Sequence, residues 1–326
     1  MRLPQPLLDS PYFQFSTVNE LCKAAGDPDS AEVMEIRRLD ALNLPPVSSR
    51  QILGLMFGLN SGLIWSFQSR THRYYRTFNI PKGNRQRRID APCVGLKAIQ
   101  KWLATQLQGA YKVPDHVFGF VAGRSHIDAA SVHAQAVWVL SVDIRDFFQT
   151  TPKSLVKTRL LELGFLEKGA ELIASLCCLR DNLAQGAPTS PLLSNVCFIH
   201  VDQQLSYLAD KYNLRLSRYA DDIVFSGKGQ CPDTLRDELE SLFIGSTWVL
   251  APEKTELVSL PKRLKVHGLL VHGENIRLTK GYRNKIRTYK HLLATKGAEL
   301  TNSEKIKGHI SYEKYVDLVV DAQRNT

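Results

Sequence analysis

Three carboxylates lie at two points of the chain where their residue types suit a site for divalent cations. Asp143 ends a nearly unbroken apolar run, whereas Asp221 and Asp222 are adjacent between two short apolar segments. Carboxylate oxygens are hard ligands that suit Mg²⁺. Two such ions about 4 Å apart can stabilise both the attacking and the leaving oxygen of a phosphoryl transfer. These residues alone would equally suit a nuclease or a cyclase.

The segments around these carboxylates must position them. The run 136–143 predicts a strand that is covered on both faces. Residues 214–219 and 223–225 predict two short strands joined by a turn, because successive side chains on a straight strand point to opposite faces. A tight turn lets Asp221 and Asp222 approach the same cation. The alternative is an ordinary polar hairpin turn, since Asp is common in turns.

The charge balance favours a polyanionic partner. The chain has 326 residues, with 42 Lys and Arg against 32 Asp and Glu and a net charge of +10. This excess favours nucleic acid before a membrane, the alternative being a generally basic soluble protein. Two stretches concentrate the charge, namely a predicted hairpin over 72–90 and a basic helical tail over 280–326. The basic residues of the hairpin are Lys82, Arg85, Arg87 and Arg88.

The six cysteines and the N-terminus point to a reducing compartment. No Cys-x-x-Cys pair is present, so zinc-binding spacing is absent. The first residues lack an apolar secretory core, and the apolar stretch 52–67 is too short for a membrane span. The sequence therefore predicts a cytoplasmic protein without a membrane partner.

The remaining segments alternate between strands and helices in an α+β order. Ser190 is expected to cap a long helix with Pro191 at its first position. Residues 266–271 predict one strand that pairs with 276–278. Further helices are predicted over 1–47, 48–59, 96–107, 154–163, 167–178 and 235–242.

Taken in order, several motifs resemble those of reverse transcriptases. Residues 142–148 resemble the first metal-binding motif, 185–191 the template-side loop and 219–222 the second metal-binding motif. Residues 252–255 and 266–271 resemble the later palm motifs, and residues 85–103 and 118–130 resemble the two fingers motifs. This resemblance covers roughly 75–315 and its ordered occurrence is specific. It implies an α+β right-hand polymerase with fingers, palm and a small helical thumb.

Within that family the chain resembles a bacterial retron reverse transcriptase. It is short and opens with a helical segment, and no nuclease, maturase or integrase domain is expected to follow. Retron enzymes usually have Asn-Ala-x-x-His where this chain has Ala129 in place of Asn, followed by Ala130 and His133. They usually have Val-Thr-Gly where this chain has His267 in the Thr position. His133 and His267 are expected to be structural rather than catalytic.

The resemblance implies a division of the chain and a set of metal ligands. The expected parts are an N-terminal helical segment at 1–70, fingers at 71–135 and 150–185, palm at 136–149 and 186–278, and a helical thumb at 279–326 that binds RNA or the duplex. Two Mg²⁺ ions, with Mn²⁺ as a substitute, are expected on three catalytic carboxylates. Asp143 and Asp221 are the surer ligands, Asp222 is less direct, and Asp146 is not a ligand.

Other residues are expected to bind the nucleotide and the nucleic acid. Phe148 matches an aromatic gate against the ribose 2′-hydroxyl, or is a core residue, and Phe147 is the more obvious core residue. Lys254 is expected to serve the departing pyrophosphate, or is a surface lysine. Gln185 belongs to the loop at the nascent base pair, or only to a helix entry. The expected triphosphate ligands are Arg85 and Arg87, with a solvated hairpin tip as the alternative. Tyr219 is expected to contact nucleic acid at the primer terminus, or is a packed aromatic. The expected contacts of the tail, with an ordinary solvated basic face as the alternative, are Arg283, Lys285 and Arg287.

The resemblance implies RNA-directed DNA synthesis from dNTPs on a cognate structured non-coding RNA. Synthesis would start from a guanosine 2′-hydroxyl and give branched RNA–DNA, or msDNA, for antiphage defence. The implied partners include a toxic effector protein and host ribonuclease H for template removal. Two alternatives stay open: another bacterial reverse transcriptase, of group II intron or diversity-generating type, and a non-catalytic RNA-binding scaffold.

Overall fold

The computed structural model describes residues 4–83, 85–296 and 303–324. The chain divides into two compact units. The first comprises Met1–Val113, Arg145–His200 and Gly245–Trp248, and the second comprises Pro114–Ile144, Val201–Ile244 and Val249–Thr326. Within the described ranges, no helix is both long and apolar enough to span a membrane.

Helices and strands alternate along the chain, as the sequence predicts. The helices are α1 Gln5–Asp9, α2 Val18–Ala25, α3 Ala31–Ala41, α4 Arg50–Phe57, α5 Ser61–Ser69, α6 Val94–Gln106, α7 His126–Val132, α8 Lys153–Leu163, α9 Glu167–Cys177, α10 Ser190–Lys211, α11 Leu235–Ser241, α12 Lys280–Lys296 and α13 Ser303–Arg324. The strands are β1 Tyr75–Lys82, β2 Arg85–Pro92, β3 Trp138–Asp143, β4 Cys178–Leu179, β5 Asn182–Leu183, β6 Arg215–Tyr219, β7 Asp222–Gly227, β8 Glu256–Ser259, β9 Lys265–Val266, β10 Leu269–Leu270 and β11 Arg277–Leu278. Short 3₁₀ helices occupy Thr71–Tyr74 and Pro252–Lys254.

In the first unit, β1 and β2 form the predicted antiparallel hairpin, with Tyr75 opposite Pro92. The strand begins at Tyr75 rather than His72, because a 3₁₀ turn precedes it. Ser49 caps α4 by accepting a hydrogen bond from the amide of Ile52. That helix ends at Phe57, two residues before the predicted end, because Gly58 adopts the left-handed conformation that commonly ends helices.

The entry to α10 differs in one detail from the sequence prediction. The helix begins at Ser190, one residue before Pro191. The Ser190 hydroxyl donates a hydrogen bond to the carbonyl of Ala184 at 2.7 Å. The side chain therefore ties the preceding loop to the start of the helix.

The main sheet of the second unit has the strand order β6-β7-β3-β8, and its paired strands are antiparallel. Leu140 and Val142 on one face of β3 are each only 2% exposed, and so is Val139 on the opposite face. The prediction of a strand covered on both faces is thus confirmed. The sheet places the C-terminal end of β3 beside the N-terminal end of β7.

A second, smaller sheet corrects one prediction. Residues 266–271 are not one strand but two, β9 and β10, which pair antiparallel with each other. The chain reverses at His267 and Gly268, whose φ angles are 47° and 86°. A strand cannot continue through left-handed backbone, and Gly permits such a turn at low cost. Strand β11 completes the sheet beside β10, as predicted for 276–278.

The helices α12 and α13 pack on this smaller sheet. Ile286 of α12 and Val316 and Val320 of α13 belong to the same buried cluster as Val266 and Leu269. The burial of these apolar side chains, and not the exposed basic face, holds the tail in place.

Candidate functional site

The predicted hairpin carries the adjacent carboxylates on a two-residue turn. Tyr219 of β6 pairs with Asp222 of β7, so the chain reverses at Ala220 and Asp221. Ala220 has a φ of 59°, which is unusual for a residue with a side chain. Asp222 also lies opposite Asp143 in the β3–β7 pair. The backbone of all three carboxylates therefore meets at one end of the sheet.

Two backbone hydrogen bonds fix the chain beyond Asp143. The amide of Ile144 donates to the carbonyl of Asp221 at 3.0 Å, and the amide of Ala251 donates to the carbonyl of Asp143 at 2.8 Å. The second contact brings the 3₁₀ turn Pro252–Lys254 to the end of β3.

Lys254 supplies a positive charge at this site. Its ammonium group donates a hydrogen bond to the carboxylate of Asp143 in an ion pair. Burial lowers the pKa of Lys254, but the hydrogen bond and charge of Asp143, together with the charges of Asp221 and Asp222, outweigh it and raise the pKa above its usual value. All three carboxylates therefore act on one ammonium group. Lys254 is thus an exposed lysine whose ammonium group is paired with Asp143, and its role toward pyrophosphate stays a prediction.

The donor chemistry of the site fits a hard divalent cation, since three carboxylate residues lie at the same end of the sheet. The pKa of Lys254 agrees with this, because the charges of all three carboxylates raise it. In the described ranges, no group of three or more His, Cys, Asp or Glu side chains is arranged closely enough to hold a metal ion. The Asp143 carboxylate is instead paired with Lys254.

A buried ion pair supports the turn. Arg218 and Asp202 are 0% and 1% exposed. The Nε and Nη2 groups of Arg218 donate to the two carboxylate oxygens of Asp202 at 2.7 and 2.6 Å. Nη1 donates to the carbonyl of Ala220 at 3.0 Å. Burial raises the pKa of Asp202, but the charge of Arg218 and the hydrogen bonds from His116 and Arg218 outweigh it and hold the pKa below its usual range.

The segment His116–Gly119 packs against the same turn. Arg218 donates its amide to the carbonyl of His116 at 2.7 Å, and its own carbonyl accepts from the amide of Phe118 at 2.8 Å. A Cβ atom on Gly119 would lie 2.2 Å from the amide nitrogen of Ala220, so only glycine fits there. The His116 ring also lies 3.2 Å from Asp202, measured from Nε2 to Oδ1.

His133 is a structural histidine, as expected. It is fully buried, and its two ring nitrogens hydrogen-bond the hydroxyl groups of Ser217 and Ser226, both at 2.7 Å. Burial is the main cause that lowers its pKa to about 3. His133 thus joins α7 to β6 and β7 as a neutral ring.

A series of aromatic and histidine rings connects the turn to α12 and α13; we call it the ring series. Successive ring centroids are 5.3 to 6.1 Å apart. His126 and Tyr312 stack at 13° and share a hydrogen bond of 3.0 Å. The members in order of contact are His267, Tyr219, His126, Tyr312, Tyr282, His309 and Tyr289.

His267 occupies the point where the smaller sheet meets the turn. Its Nδ1 atom lies 3.9 Å from the carboxylate of Asp222, and its ring contacts Tyr219. Burial lowers the pKa of His267 to about 4, so the ring is neutral at pH 7. This supports a packing role for His267 and not a charged one.

The residues expected to bind the nucleotide from the fingers lie in the first unit. Phe148 is half-buried and Phe147 is 4% exposed, so Phe147 is the core residue as expected. Gln185 is half-buried, and its carbonyl accepts from the amide of Asp90 at 2.8 Å. Gly186 has a φ of 124°, and a Cβ there would lie 2.9 Å from the Asp90 carbonyl. The loop therefore packs against β2.

The arginines of the hairpin differ in their surroundings. The backbone of Arg85 belongs to β2, but its side chain lies outside the described residues. Arg87 is half-buried on the same strand. Arg88 forms an ion pair with Asp90 at 3.1 Å and is therefore already neutralised by its neighbour.

The basic residues expected to grip nucleic acid lie on the exposed face of α12. Arg283, Lys285 and Arg287 are all exposed. The ammonium of Lys285 lies 5.5 Å from the ring centre of Tyr289, which is a cation–π contact. This helix belongs to the second unit, together with Asp143, Tyr219, Asp221, Asp222 and Lys254.

Sequence reasoning missed the Asp202–Arg218 pair and His126. One signal was available for the pair, because Asp202 interrupts the apolar face formed by Val201 and Leu205 of α10. His126 and Tyr312 are separated by 186 positions, and nothing in their local sequence indicates that they stack.

The chain matches a family model and several curated proteins. The model described as "Reverse transcriptase (RNA-dependent DNA polymerase)" matches residues 80–272. The Retron Ec86 reverse transcriptase of Escherichia coli is 26% identical over 293 residues, which cover 88% of this chain and 91% of that protein. The Retron Mx162 reverse transcriptase of Myxococcus xanthus is 30% identical over 271 residues, which cover 72% of this chain and 56% of that protein.

Among solved structures, the chain is similar to telomerase from Candida albicans in complex with a TWJ fragment of telomeric RNA. The TM-score is 0.44 at 11% sequence identity, and the match covers 80% of this chain and 61% of that one. This likeness is too distant to bear on substrate or partner.

Proposed function

Because this chain belongs to the reverse transcriptase family, we propose that its carboxylate site makes retron msDNA by copying part of a cognate structured RNA. The family model covers more than half of the chain, and the curated relatives are retron reverse transcriptases. The predictions of a bacterial retron reverse transcriptase, of RNA-directed DNA polymerase activity and of an α+β right-hand polymerase fold are thereby confirmed.

One observation carries the mechanism. The pairing of Asp222 with Asp143, next to the turn at Asp221, brings three carboxylates to one end of the sheet. We assign Asp143, Asp221 and Asp222 as the residues that hold two Mg²⁺ ions, with Mn²⁺ as a substitute. When bound, the two ions activate the primer hydroxyl and neutralise the triphosphate during in-line transfer.

The residues of the chain perform the remaining steps. Lys254, whose pKa is raised, holds a proton near Asp143 that it can donate to the departing pyrophosphate. Tyr219 lines the primer terminus. Phe148 stacks under the sugar and excludes a 2′-hydroxyl, and Gln185 contacts the nascent base pair. Arg85 and Arg87 bind the triphosphate, while Arg283, Lys285 and Arg287 contact phosphates of the duplex.

The proposed parts follow from these roles. Residues 1–70 form an N-terminal helical segment, 71–135 and 150–185 the fingers, 136–149 and 186–278 the palm, and 279–326 the thumb. Synthesis starts from a guanosine 2′-hydroxyl of the RNA in the cytoplasm and gives a 2′,5′-linked branched product. Host ribonuclease H removes the template, and a toxic effector protein acts with the product in antiphage defence.

Extension of a primed RNA template with dNTPs and Mg²⁺ tests the polymerase assignment. The variant Asp221→Asn with Asp222→Asn is expected to lower the rate by at least about 10²-fold, because it removes two negative charges from the site. Asp146→Asn is the matched control, since Asp146 lies in the turn after β3 and is not an assigned ligand. Undiminished synthesis by the double variant would refute the two-metal assignment.

Sequencing the nucleic acid that co-purifies with the protein tests the retron assignment. Branched RNA–DNA joined through a guanosine 2′-position supports it. A long intron transcript, or linear RNA only, would instead favour a group II intron enzyme or another bacterial reverse transcriptase. A scaffold without catalysis would bind RNA but extend no primer.

A further inference from the structure

The Asp202–Arg218 ion pair is buried where apolar side chains would avoid a desolvation penalty. Both side chains are withdrawn from water, at 1% and 0% exposure. Removing two charges from water carries a desolvation penalty that their attraction often only offsets. Stability alone is therefore a weak account of this pair, and its contacts suggest a different one.

The guanidinium group of Arg218 joins Asp202 to the turn. Two of its nitrogens donate to the two oxygens of Asp202, which fixes the plane of the group. The third nitrogen donates to the carbonyl of Ala220. The planar fork of arginine allows these contacts at once, whereas the single ammonium group of lysine presents no such plane.

The carbonyl of Ala220 belongs to the peptide group that begins Asp221. Fixing that carbonyl therefore fixes the peptide plane from which the Asp221 side chain departs. Ala220 itself has a φ of 59°, a conformation that an alanine adopts only when its surroundings hold it. Arg218 supplies one such restraint from inside the core.

Gly119 supplies a second restraint on the turn. The backbone of Gly119 approaches the turn so closely that a Cβ would lie 2.2 Å from the Ala220 nitrogen. His116 and Phe118 hold this segment in place through backbone hydrogen bonds with Arg218. The turn is thus restrained both by a guanidinium group and by a glycine.

We propose that Asp202 and Arg218 are positioning residues for DNA synthesis, which hold the Ala220–Asp221 peptide and so aim the Asp221 carboxylate. Neither residue touches the substrate. The inference rests on the proposed function, because it takes Asp221 to be a catalytic carboxylate. It predicts that removing the pair impairs the site more than it impairs the fold.

The variant Asp202→Leu with Arg218→Met tests this, since it replaces both members of the ion pair by apolar side chains and leaves neither charge buried without the other. We expect a thermal unfolding midpoint close to that of the wild type and faster hydrogen exchange in the peptide containing Ala220 and Asp221. The turnover number is expected to fall by about 10²-fold, because small displacements of a reacting group have effects of that size. The KM for dNTPs is expected to change little.

Gly119→Ala displaces the same turn without touching the ion pair, so it keeps the proposal testable if the paired variant fails to fold. The same faster exchange and lower turnover number are expected. The matched control is Gly169→Ala, where the Cβ would lie 2.4 Å from the carbonyl of Val47 in the first unit. It is expected to lower the unfolding midpoint but not the turnover number of the folded protein.

Asp221→Asn separates this proposal from the proposed function. If Asp221→Asn retains synthesis, the catalytic assignment fails and the positioning role fails with it. If Asp221→Asn abolishes synthesis while the folded paired variant and Gly119→Ala both keep the wild-type turnover number and exchange, only the positioning role is overturned. The positioning role is also overturned if these variants lose turnover only as far as their unfolding midpoint falls, while hydrogen exchange at the turn stays unchanged.

Discussion

The ammonium group of Lys254 is paired with the carboxylate of Asp143, and it is also within the electrostatic reach of Asp221 and Asp222. One positive charge therefore offsets part of the negative charge that would otherwise collect at the end of β3. A divalent cation that binds these carboxylates must compete with that ammonium group for Asp143. Lys254 thus links cation binding to the proton that we assign to the departing pyrophosphate.

Lys254→Met is expected to lower the half-saturating Mg²⁺ concentration and the turnover number together. Loss of a half-exposed positive charge is worth about 1 kcal/mol, so Mg²⁺ should bind roughly 5-fold more tightly. Loss of a general acid should slow turnover by about 10²-fold. Steady-state extension across a Mg²⁺ titration measures both, with Lys262→Met as the exposed-lysine control. A higher Mg²⁺ requirement in Lys254→Met would contradict this account of the pair.

Gly186→Ala is expected to destabilise the first unit and to raise the KM for dNTPs. The added Cβ would lie 2.8 Å from a methyl group of Ile89 and 2.9 Å from the Asp90 carbonyl, at a φ of 124°. The combined strain and clash should cost about 1–3 kcal/mol and displace Gln185. Thermal unfolding and dNTP titrations measure the two effects.

Gly26→Ala is the control for strain without a clash, because Gly26 has a φ of 116° and no neighbour within 4 Å of the added Cβ. It should lower the unfolding midpoint and leave the KM unchanged. Equal KM values in wild type and Gly186→Ala would show that the loop does not position Gln185 for the nucleotide.

His133 is expected to make the protein less stable as the pH falls from about 6.5 toward 3. An unfolded histidine binds a proton near pH 6.5, whereas burial lowers the folded pKa to about 3. The unfolded state therefore binds more protons in this window. For one such proton, the free energy of unfolding falls by about 1.4 kcal/mol for each pH unit. The groups that act on His133 are His267 and Arg215, both of which lower its pKa further.

Urea unfolding of His133→Gln at pH 7, 6, 5 and 4 tests this. Glutamine can still hydrogen-bond Ser217 or Ser226 but cannot be protonated. The variant should lose less stability per pH unit than the wild type, with the remaining slope coming partly from His267, whose pKa is lowered to about 4. Identical slopes in both proteins would show that His133 does not titrate on unfolding.

The sequence specified the parts of the site that depend on local patterns. An apolar run ending at Asp143 indicates a buried strand, and two carboxylates between short apolar segments indicate a turn. Both predictions agree with the structure because strand burial and turn chemistry act over a few residues. The order of these motifs along the chain then indicated the family.

The remaining features depend on contacts between distant segments. The strand predicted over 266–271 is broken at His267, whose left-handed backbone no residue pattern announces. The Asp202–Arg218 pair joins α10 to β6, and the stack of His126 on Tyr312 joins α7 to α13. Such pairings are set by tertiary packing, which one sequence does not reveal.

Tyr312→Ala is expected to shorten the DNA made in each binding event. Tyr312 stacks on His126, which contacts Tyr219 beside the carboxylates, and it also contacts Tyr282 of α12. Its removal interrupts the ring series. The packing of α13 should lose about 1–3 kcal/mol of stability, which is the range for lost aromatic packing and a lost hydrogen bond. If α12 and α13 form the proposed thumb, the duplex is expected to dissociate sooner, although the carboxylates are unchanged.

Primer extension with a trap for free enzyme measures the product length, and hydrogen exchange in α13 measures the loosening. Tyr315→Ala is the matched control, since Tyr315 lies one turn away on α13 and is 47% exposed. Tyr312→Phe keeps the stack but loses the hydrogen bond to His126, so it should fall between wild type and Tyr312→Ala. If Tyr312→Ala and Tyr315→Ala shorten the products equally, the ring series has no special part in holding the duplex, and general loss of helix stability explains the effect.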